Sequence, residues 1–419
     1  MEAYLVEFGN LLLRWLHVIA AIAWIGESIY FVMLDNSLKT PTDDAVKKRG
    51  VLGEMWAVHG GGFYHNQKYM TAPAELPKDL HWSFWKAYTT WISGFALFVI
   101  MYMSNPAFYL ANPSSPWEWV RELSGWQVNV IAILFLIGGW VVYDQLCRRV
   151  SPNMERDGVL SIGVAIMMVV VAYLSVHIFQ GRAAFLMTGA VMATAMSANV
   201  FFWIIPGQRR MVNAMKKGEA PNPLDGKRGK QRSVHNTYFT LPVVFLMLSN
   251  HYSFTYTSQY AWIIMSLFIF SGATIRQYFV LRHLGQNKLA YPVIGVALLA
   301  VIGFLAAPAS KPPSSSNTNA TNSVVEEKGT EENEKGTDTN GQTASVMEIM
   351  QARCVQCHAA QPAQAGFASA PAGIALETEQ QVLANPALIK QVVASGYMPL
   401  ANMTKMTDEK RAFIANWPP

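Results

Sequence analysis

Charged residues are scarce in this sequence, and the shortage is the first guide to the class of protein. Only 14% of its 419 residues are Asp, Glu, Lys or Arg, while 52% are hydrophobic. Soluble domains carry about 25% charged residues. The composition therefore excludes an ordinary water-soluble domain for most of the chain and indicates helices packed in lipid.

Cysteine is almost as rare, with three residues in the whole chain. So few cysteines imply no disulfide framework. Two of them, Cys354 and Cys357, stand with His358 in the stretch CVQCH, and CxxCH is the attachment signature of a c-type haem. The third, Cys147, stands alone, and we interpret it as packing at a helix end rather than as a reactive thiol.

Long apolar runs recur eight times, and each has the roughly 20 residues needed to cross ~30 Å of hydrocarbon. They predict an all-α fold: a polytopic membrane bundle of about eight transmembrane helices, followed by a small class I cytochrome c-like domain. The first run is not a signal peptide, because Glu2 and Glu7 precede it in place of basic residues. The predicted spans are residues 10–33, 84–104, 126–146, 159–180, 183–205, 237–257, 260–281 and 290–308.

The distribution of Lys and Arg predicts the orientation, because cytoplasmic loops hold an excess of both. The loops after the first, third, fifth and seventh runs contain six, three, eight and two of them, whereas the alternate loops contain only Arg121 and Arg182. We therefore expect the amino terminus and the tail to lie outside. Haem attachment at CxxCH also requires an outer location. Both arguments predict a multi-pass protein of the bacterial inner membrane with a periplasmic haem domain.

A polar segment separates the bundle from the tail. Residues 310–342 contain almost no apolar side chains, a composition typical of a disordered tether. About 33 flexible residues have an r.m.s. span of roughly 30 Å, so the tail can reach its own bundle or another partner. The predicted domains are a transmembrane domain at 1–309, a linker at 310–342 and a cytochrome c domain at 343–419.

The tail has the order of a small class I cytochrome c. The two thiols of CVQCH add to the haem vinyl groups, and His358 is the predicted proximal ligand of the iron. Met398, followed by proline in GYMPL, is the predicted distal ligand, with Met403 and Met406 as rivals. The stretch TDEKRAFIANW predicts a terminal helix that begins after a threonine. Met/His ligation raises the reduction potential and makes a one-electron acceptor.

Ionisable residues inside membrane helices are costly and mark candidate sites. The predicted topology places His17, His177 and His251 in the outer third of the bundle, near Arg14 and Arg182. Two histidines from different helices can hold a b-type haem. The alternative is that these histidines hydrogen-bond neighbouring helices.

A second group of candidates belongs to the inner half and the middle of the membrane. The loop after the first helix contains WAVHGGGFYHNQKY, in which three glycines would let backbone N–H groups approach a ligand. A glycine hinge in a loop is the alternative interpretation. The candidate catalytic or substrate-binding residues here are Glu27, His59, Gly60, Gly61, Gly62, Tyr64, His65 and Arg276.

Three stretches carry a resemblance to a known family. WLHVIAAIAWIGESIYFVMLDN, WAVHGGGFYHNQKY, and CVQCHA with MPLANMTKMTDEKRAFIANW together resemble the membrane-bound cytochrome c-type urate oxidases, also called urate hydroxylases. The similarity covers essentially the whole chain, with eight helices, tether and haem domain in that order. Where relatives typically show MPLGN, this chain has Ala401.

The resemblance implies oxidation of urate to 5-hydroxyisourate in purine degradation, with electrons passed to cytochrome c and not directly to oxygen. Urate is a planar anion at neutral pH, which suits an Arg clamp, aromatic stacking, and a histidine or carboxylate that takes a proton. It gives up two electrons, whereas one haem c accepts one at a time. Either a haem b relay or a persisting substrate radical is then needed.

The expected partners are urate, the lipid bilayer and a downstream cytochrome or terminal oxidase, with no nucleic acid. We favour inner or mid-membrane substrate contacts, with a haem b relay at the outer histidines. Two other functions share the tethered haem. One is a membrane cytochrome that oxidises quinol or another small molecule, and the other is a non-enzymatic electron conduit. A quinol oxidase would not need the polar glycine-rich loop.

Overall fold

A computed structural model shows two compact units. One is formed by Val6–Ala306 and the other by Ala307–Pro419 together with Met1–Leu5. Most of the predicted tether, residues 310–338, lies outside the described residues, but its last four positions belong to a helix that starts at Thr339. The structure describes residues 2–69, 72–256, 258–307, 339–364, 370–371, 374–394, 396, 398–399 and 402–417.

The first unit is a helical bundle, and helices occupy all eight segments that the apolar runs predicted. Shorter helices lie in the connections. The helices that correspond to the predicted spans are α1 (Glu2–Ser37), α3 (Trp85–Phe98, continued by a π-helical turn at Val99–Met103), α6 (Gly125–Val150), α7 (Asp157–Ile178), α8 (Gly181–Ala198, continued by a π-helical turn at Asn199–Ile204), α10 (Pro223–Leu248), α12 (Ala261–His283) and α13 (Ala290–Leu305). The connections contain α2 (Asp44–Lys48), α4 (Pro106–Tyr109), α5 (Glu118–Arg121), α9 (Ile205–Lys216), a 3-10 turn (Ser249–His251) and α11 (Ser253–Tyr256).

Among the residues that the structure describes, five helical stretches are long and apolar enough to cross a membrane, as judged by length and composition. The other three predicted spans are helical but shorter or more polar. Helix α3 has 14 residues before its π-helical turn, α13 has 16, and α10 begins with the charged stretch PLDGKRGKQR. The five stretches are Phe8–Ser37, Gly125–Val150, Asp157–Ile178, Gly181–Lys216 and Ala261–Arg282.

Helix α8 forms the centre of the bundle, and small residues bring its neighbours close. A Cβ atom added at Gly139 of α6 would lie 2.6 Å from a methyl carbon of Val191, and one at Gly189 would lie 3.1 Å from Leu246 of α10. Small residues permit such close helix approach in membranes. Helix α1, in contrast, exposes large apolar side chains such as Trp15 and Ile22, as a lipid-facing helix does.

The glycine-rich loop after α1 is a β-hairpin, so the fold is mostly helical and not all-α as predicted. Strands β1 (Val51–His59) and β2 (Gly62–Tyr69) pair antiparallel, with their adjoining ends opposite each other. Gly60 and Gly61 form the two-residue turn, with φ angles of +59° and +82°. Such turns need positive φ at both positions, which glycine adopts without strain. These two glycines therefore serve the turn.

The described residues of the tail unit form four helices around a small apolar core. Terminal helix α17 begins after Thr407, whose side chain accepts a hydrogen bond from the Lys410 backbone, as the sequence predicted. Trp417 and Ile414 lie in this core, with Val346 and Met350 of the first helix. The helices are α14 (Thr339–Arg353), α15 (Glu379–Leu383), α16 (Pro386–Ala394) and α17 (Asp408–Asn416).

Candidate functional site

The haem-attachment signature follows α14 directly. Cys354 and Cys357 are both half-buried, and the turn between them is closed by hydrogen bonds from the backbone N–H groups of Cys357 and His358 to Cys354 O. Nδ1 of His358 lies 2.7 Å from the carbonyl oxygen of Ile374. A carbonyl can only accept, so Nδ1 carries the proton and Nε2 keeps a lone pair. That is the tautomer that a histidine needs to bind iron through Nε2.

The three candidate distal methionines differ in their surroundings. Met398 is half-buried against the apolar core of the tail. Met406 is 3% exposed and belongs to that core, while Met403 is 40% exposed. Because an axial ligand needs a side chain at the edge of the core and not locked within it, Met398 remains our preferred ligand. Ala401, the departure from the family pattern, lies outside the described residues.

Two buried N–H donors in the tail suggest that a further group completes it. Nε1 of Trp417 and Nε of Arg353 have no acceptor within the part of the chain that the structure describes. Buried donors are rarely left without an acceptor, and the propionates of a haem are acceptors. The tail residues therefore fit a c-type haem, which Cys354 and Cys357 would hold.

In the outer group, His17 contacts the neighbouring helix α3. Its Nδ1 lies 3.0 Å from Thr90 O and 3.1 Å from the Ser93 hydroxyl. The ring packs against Gly94, where an added Cβ would lie only 2.8 Å from the Cε1 atom of His17. This glycine therefore leaves the space that the imidazole fills.

The remaining outer candidates are spread over several elements. Nδ1 of His177 lies 2.7 Å from Tyr173 O, and its ring stacks on Trp117. His251 is exposed at the end of the 3-10 turn. Within the described residues, no hydrogen bond or ring contact joins His17, His177 and His251 to one another, so haem b stays a prediction. Two cations complete the predicted group: Arg14, which donates to Asn10 and Met101, and Arg182, in the first turn of α8.

The inner candidates do not converge on one point. Glu27 pairs with Lys86 of α3 at 3.0 Å. On the hairpin, His65 stacks on Trp56 with 4.2 Å between ring centroids and bonds Glu54 at 2.8 Å. The other hairpin candidates are exposed or border the turn: His59, Gly60, Gly61, Gly62 and Tyr64.

Arg276, the last sequence candidate, is a buried cation on α12. It is 6% exposed, and its Nε and Nη2 atoms have no hydrogen-bond partner among the described residues. Tyr238 of α10 is its electrostatic neighbour, and the Tyr238 hydroxyl donates to Gln277. Burying a charge without a partner is costly, so Arg276 is a candidate for binding an anion.

A buried polar network lies between α6, α8 and α10, and the sequence interpretation did not find it. Arg232 and Asp144 are 3% and 4% exposed and form an ion pair at 2.8 Å. Trp203 donates to the same carboxylate at 2.8 Å, and Arg148 approaches its other oxygen at 2.6 Å. The Asp144 carboxylate therefore has a donor at each oxygen.

The network continues through Asn199, the first residue of the π-helical turn after α8. Its amide donates to the Tyr143 hydroxyl and to Asn236, at 2.9 Å each. The Tyr143 oxygen lies 2.9 Å from Nδ1 of His235. π-Helical turns often occur at functional sites, and this one aims a buried amide at two other helices.

A cavity of about 370 Å³ adjoins the network between α10 and the start of α7, which is within the size range of small-molecule sites. His235 lies on its wall and is the only one of its lining residues that also bonds the network described above. The lining residues are Asn153, Met154, Glu155, Asp157, Ser161, Lys227, Lys230, Gln231, Val234, His235 and Tyr238.

The sequence carried a usable signal for part of this network. Asp144 stands in the apolar run LIGGWVVYDQL, and the rule that flags ionisable residues in membrane helices applies to it. Arg232 was counted among loop cations because eight Lys and Arg residues cluster in 206–236. Nothing local reveals that it pairs with Asp144, 88 residues earlier.

Comparison with known proteins places the helical bundle in a family. No curated protein and no solved structure matches the chain. A family model described as urate oxidase N-terminal matches residues 3–307. This match covers more than half of the chain and includes every helix of the bundle described above. The chain therefore belongs to the urate oxidase N-terminal family.

Proposed function

We propose that this chain oxidises urate at its helical bundle and passes the electrons, one at a time, to a c-type haem held by its own tail. The urate monoanion and one water yield 5-hydroxyisourate, two electrons and one proton. When bound, the haem supplies a one-electron acceptor, so two transfers complete each oxidation. Haem b at the outer histidines is the relay that we expect inside the bundle.

The hydrogen bond between His358 and Ile374 is the main support for a haem c electron acceptor in the tail. It leaves Nε2 of His358 unprotonated, one residue after Cys357 in the attachment signature. A histidine whose other nitrogen is held by a backbone carbonyl keeps one ring orientation, as metal-binding histidines do. A zinc site would need further ligands, and no group of three His, Cys, Asp or Glu side chains that could hold a metal occurs among the described residues.

The substrate side is supported by the family match and by buried positive charge in the bundle. Arg276 is buried without a hydrogen-bond partner for Nε or Nη2 in the described part of the chain. A planar anion with several oxygen acceptors would satisfy this planar guanidinium. Because membrane interiors tolerate few unpaired charges, Arg276 favours an anionic substrate over a neutral quinol.

The location follows from the same chemistry. Haem is attached to CxxCH on the outer side of a bacterial membrane, so the tail belongs in the periplasm. The excess of Lys and Arg in alternate loops agrees with that orientation. A downstream cytochrome or terminal oxidase would then receive the electrons.

The test is urate oxidation by membranes that contain the full chain with its haem. We expect urate absorbance to fall while the haem c band becomes reduced, in the ratio of one urate to two haem reductions. The Cys354→Ser/Cys357→Ser double variant serves as control, because it retains the bundle but has no thiol for covalent attachment.

A parallel experiment with a quinol in place of urate separates this proposal from the alternative, a quinol-oxidising cytochrome. If the haem stays oxidised with urate and becomes reduced with a quinol, the chain is a quinol oxidase and the urate proposal is wrong. If urate is consumed equally fast by the double variant, the tail haem is not the acceptor.

A further inference from the structure

The lining of the cavity beside α10 contains two lysines and two carboxylates. Lys227 and Lys230 line it and form no ion pair with any residue the structure describes. Of the two acidic lining residues, Asp157 is already engaged, because it accepts hydrogen bonds from Ser151 at 2.8 Å and Gln231 at 2.6 Å. The formal charges of the lining therefore balance, but Lys227 and Lys230 have no partner among the described residues and are free to turn toward an anion.

The network behind the cavity determines which nitrogen of His235 carries a proton. The Asn199 amide donates to the Tyr143 oxygen, so the phenol hydrogen must find another acceptor. Within the described residues, Nδ1 of His235 is the best acceptor in reach, at 2.9 Å, because the other neighbour, the Cys147 sulfur, accepts only weakly. Were Nδ1 protonated, the Tyr143 hydroxyl, which is 1% exposed, would keep a buried hydrogen without a strong acceptor. That arrangement is costly.

His235 consequently carries its proton on Nε2. That nitrogen makes no hydrogen bond with another described residue, and the side chain lines the cavity. A neutral imidazole in this tautomer presents an N–H donor to whatever occupies the cavity. The hydrogen bond between Asn199 and Tyr143, on the side of His235 away from the cavity, fixes this tautomer. The ion pair of Arg232 and Asp144 in turn holds Asn199 in place.

An aromatic side chain adds to the same wall. Tyr238 lies three residues after His235, so the two project from the same face of α10, and both line the cavity. Tyr238 is also the electrostatic neighbour of the buried cation Arg276. A planar anion next to Tyr238 would therefore meet an aromatic side chain and a positive potential together.

We propose that this cavity is where the urate anion binds, with Nε2–H of His235 donating to it, Lys227 and Lys230 attracting it, and Tyr143 acting as a positioning residue. The proposal rests on the proposed function for the identity of the anion. It assigns substrate contacts to residues that the sequence analysis did not select, on α10 instead of on the glycine hairpin.

A matched pair of variants separates donation into the cavity from a merely structural role. In His235→Asn the amide oxygen takes the place of Nδ1 and can still accept from Tyr143, but no donor reaches the cavity. In His235→Gln the longer amide places an N–H where Nε2 stands and loses the bond to Tyr143. If His235 binds the anion, His235→Gln must bind urate more tightly than His235→Asn. If His235 only supports Tyr143, the order is reversed.

The measurement is equilibrium dialysis of urate against the purified holoprotein, with its haem chemically reduced beforehand so that no turnover occurs. We expect His235→Asn to weaken binding about tenfold or more, the effect of losing a hydrogen bond to a charged group. Tyr143→Phe should weaken urate binding several-fold. Combining it with His235→Asn should not restore binding. His81→Asn, an exposed histidine outside the cavity lining, is the control and should bind as the wild type does.

Each outcome has a definite meaning. Unchanged binding in His235→Asn, or tighter binding in His235→Asn than in His235→Gln, overturns the assignment of the site. A wild-type chain that binds urate with the expected variant pattern yet never reduces its oxidised haem leaves the site in place and overturns the proposed function. A wild-type chain that neither binds nor oxidises urate overturns both.

Discussion

Arg232 and Asp144 form an ion pair inside the helical bundle, with Nη2 of the arginine 2.8 Å from Oδ1 of the aspartate and neither side chain more than 5% exposed. The pair joins α10 to α6. It lies between the exposed end of the network at Arg148 and its inner end at His235. Because both charges are removed from solvent, each depends on the other.

Removing one member of this pair should destabilise the bundle. We expect Asp144→Ala to lower the free energy of unfolding by about 3–5 kcal/mol, since an uncompensated buried charge remains. Arg148→Ala is the matched control, because that partner of Asp144 is 53% exposed and such pairs contribute about 1 kcal/mol or less. Thermal unfolding of the detergent-solubilised protein measures both. Equal losses from the two variants would contradict a dominant role for the buried pair.

Met398 and Met406 should respond differently to truncation. Met398→Ala should change the spectrum and potential of the haem c without preventing covalent attachment, because it removes the predicted distal ligand. Met406→Ala should instead destabilise the tail by about 2–5 kcal/mol, the usual loss for a buried methionine. Visible spectra and thermal unfolding separate the two effects. A spectral change confined to Met406→Ala would make Met406 the ligand.

The hairpin turn allows a comparison of adjacent glycines. Gly60→Ala should destabilise the hairpin by roughly 1–2 kcal/mol, because φ is +59° there and a Cβ is disfavoured in the left-handed region. Gly62→Ala is the control, because its added Cβ would meet only His59 O at an ordinary 3.9 Å. Hydrogen exchange of residues 51–69 reports local opening. Faster exchange in Gly62→Ala than in Gly60→Ala would contradict the turn assignment.

The thiol of Cys354 should react slowly in protein that has not received its haem. Burial raises the pKa of this thiol to about 11, because burial disfavours the charged thiolate. In a Cys357→Ser background, alkylation near pH 7.5 should be about 100-fold slower than for a free thiol and rise about tenfold per pH unit. The unfolded protein provides the reference rate. A native rate equal to that reference would contradict the burial of Cys354.

A pyridine haemochrome spectrum tests the relay. We expect a b-type signal beside the c-type signal, and loss of the b-type signal alone in His17→Ala. Gly94→Ala is an informative second variant, because its Cβ would lie 2.8 Å from the imidazole of His17 and must displace that ring. A spectrum with a c-type signal only would remove haem b from the mechanism and leave a substrate radical between the two transfers.

The candidate site was predictable where the residues that perform its chemistry lie next to one another in the sequence. CVQCH predicts the haem-binding residues, because covalent attachment and iron ligation require that short spacing. Arg276 was likewise predicted as a candidate from its own position alone, since a cation in an apolar helix is unusual in any context. Asp144 meets the same criterion, because it lies inside the predicted span 126–146, yet it is not among the predicted site residues.

The hairpin shows how local information fails. HGGGFY by itself indicates either a ligand-binding loop, because three glycines permit close approach, or a glycine hinge. The structure uses Gly60 and Gly61 for a turn whose geometry depends on the register of two strands. Register is decided by pairing across the strands, and neither strand alone specifies it.

The helical segments of the bundle and their apolar character followed from the sequence alone, and CVQCH predicts a haem-binding tail, because hydrophobic run length and motif spacing act over neighbouring residues. Only the tertiary structure decided that Arg232 meets Asp144, that Asn199 bridges Tyr143 and Asn236, and that His235 ends this network at a cavity. Those contacts join residues 37 to 92 positions apart. Helix packing sets such distances, and the sequence pattern of each helix is the same whichever neighbour it packs against.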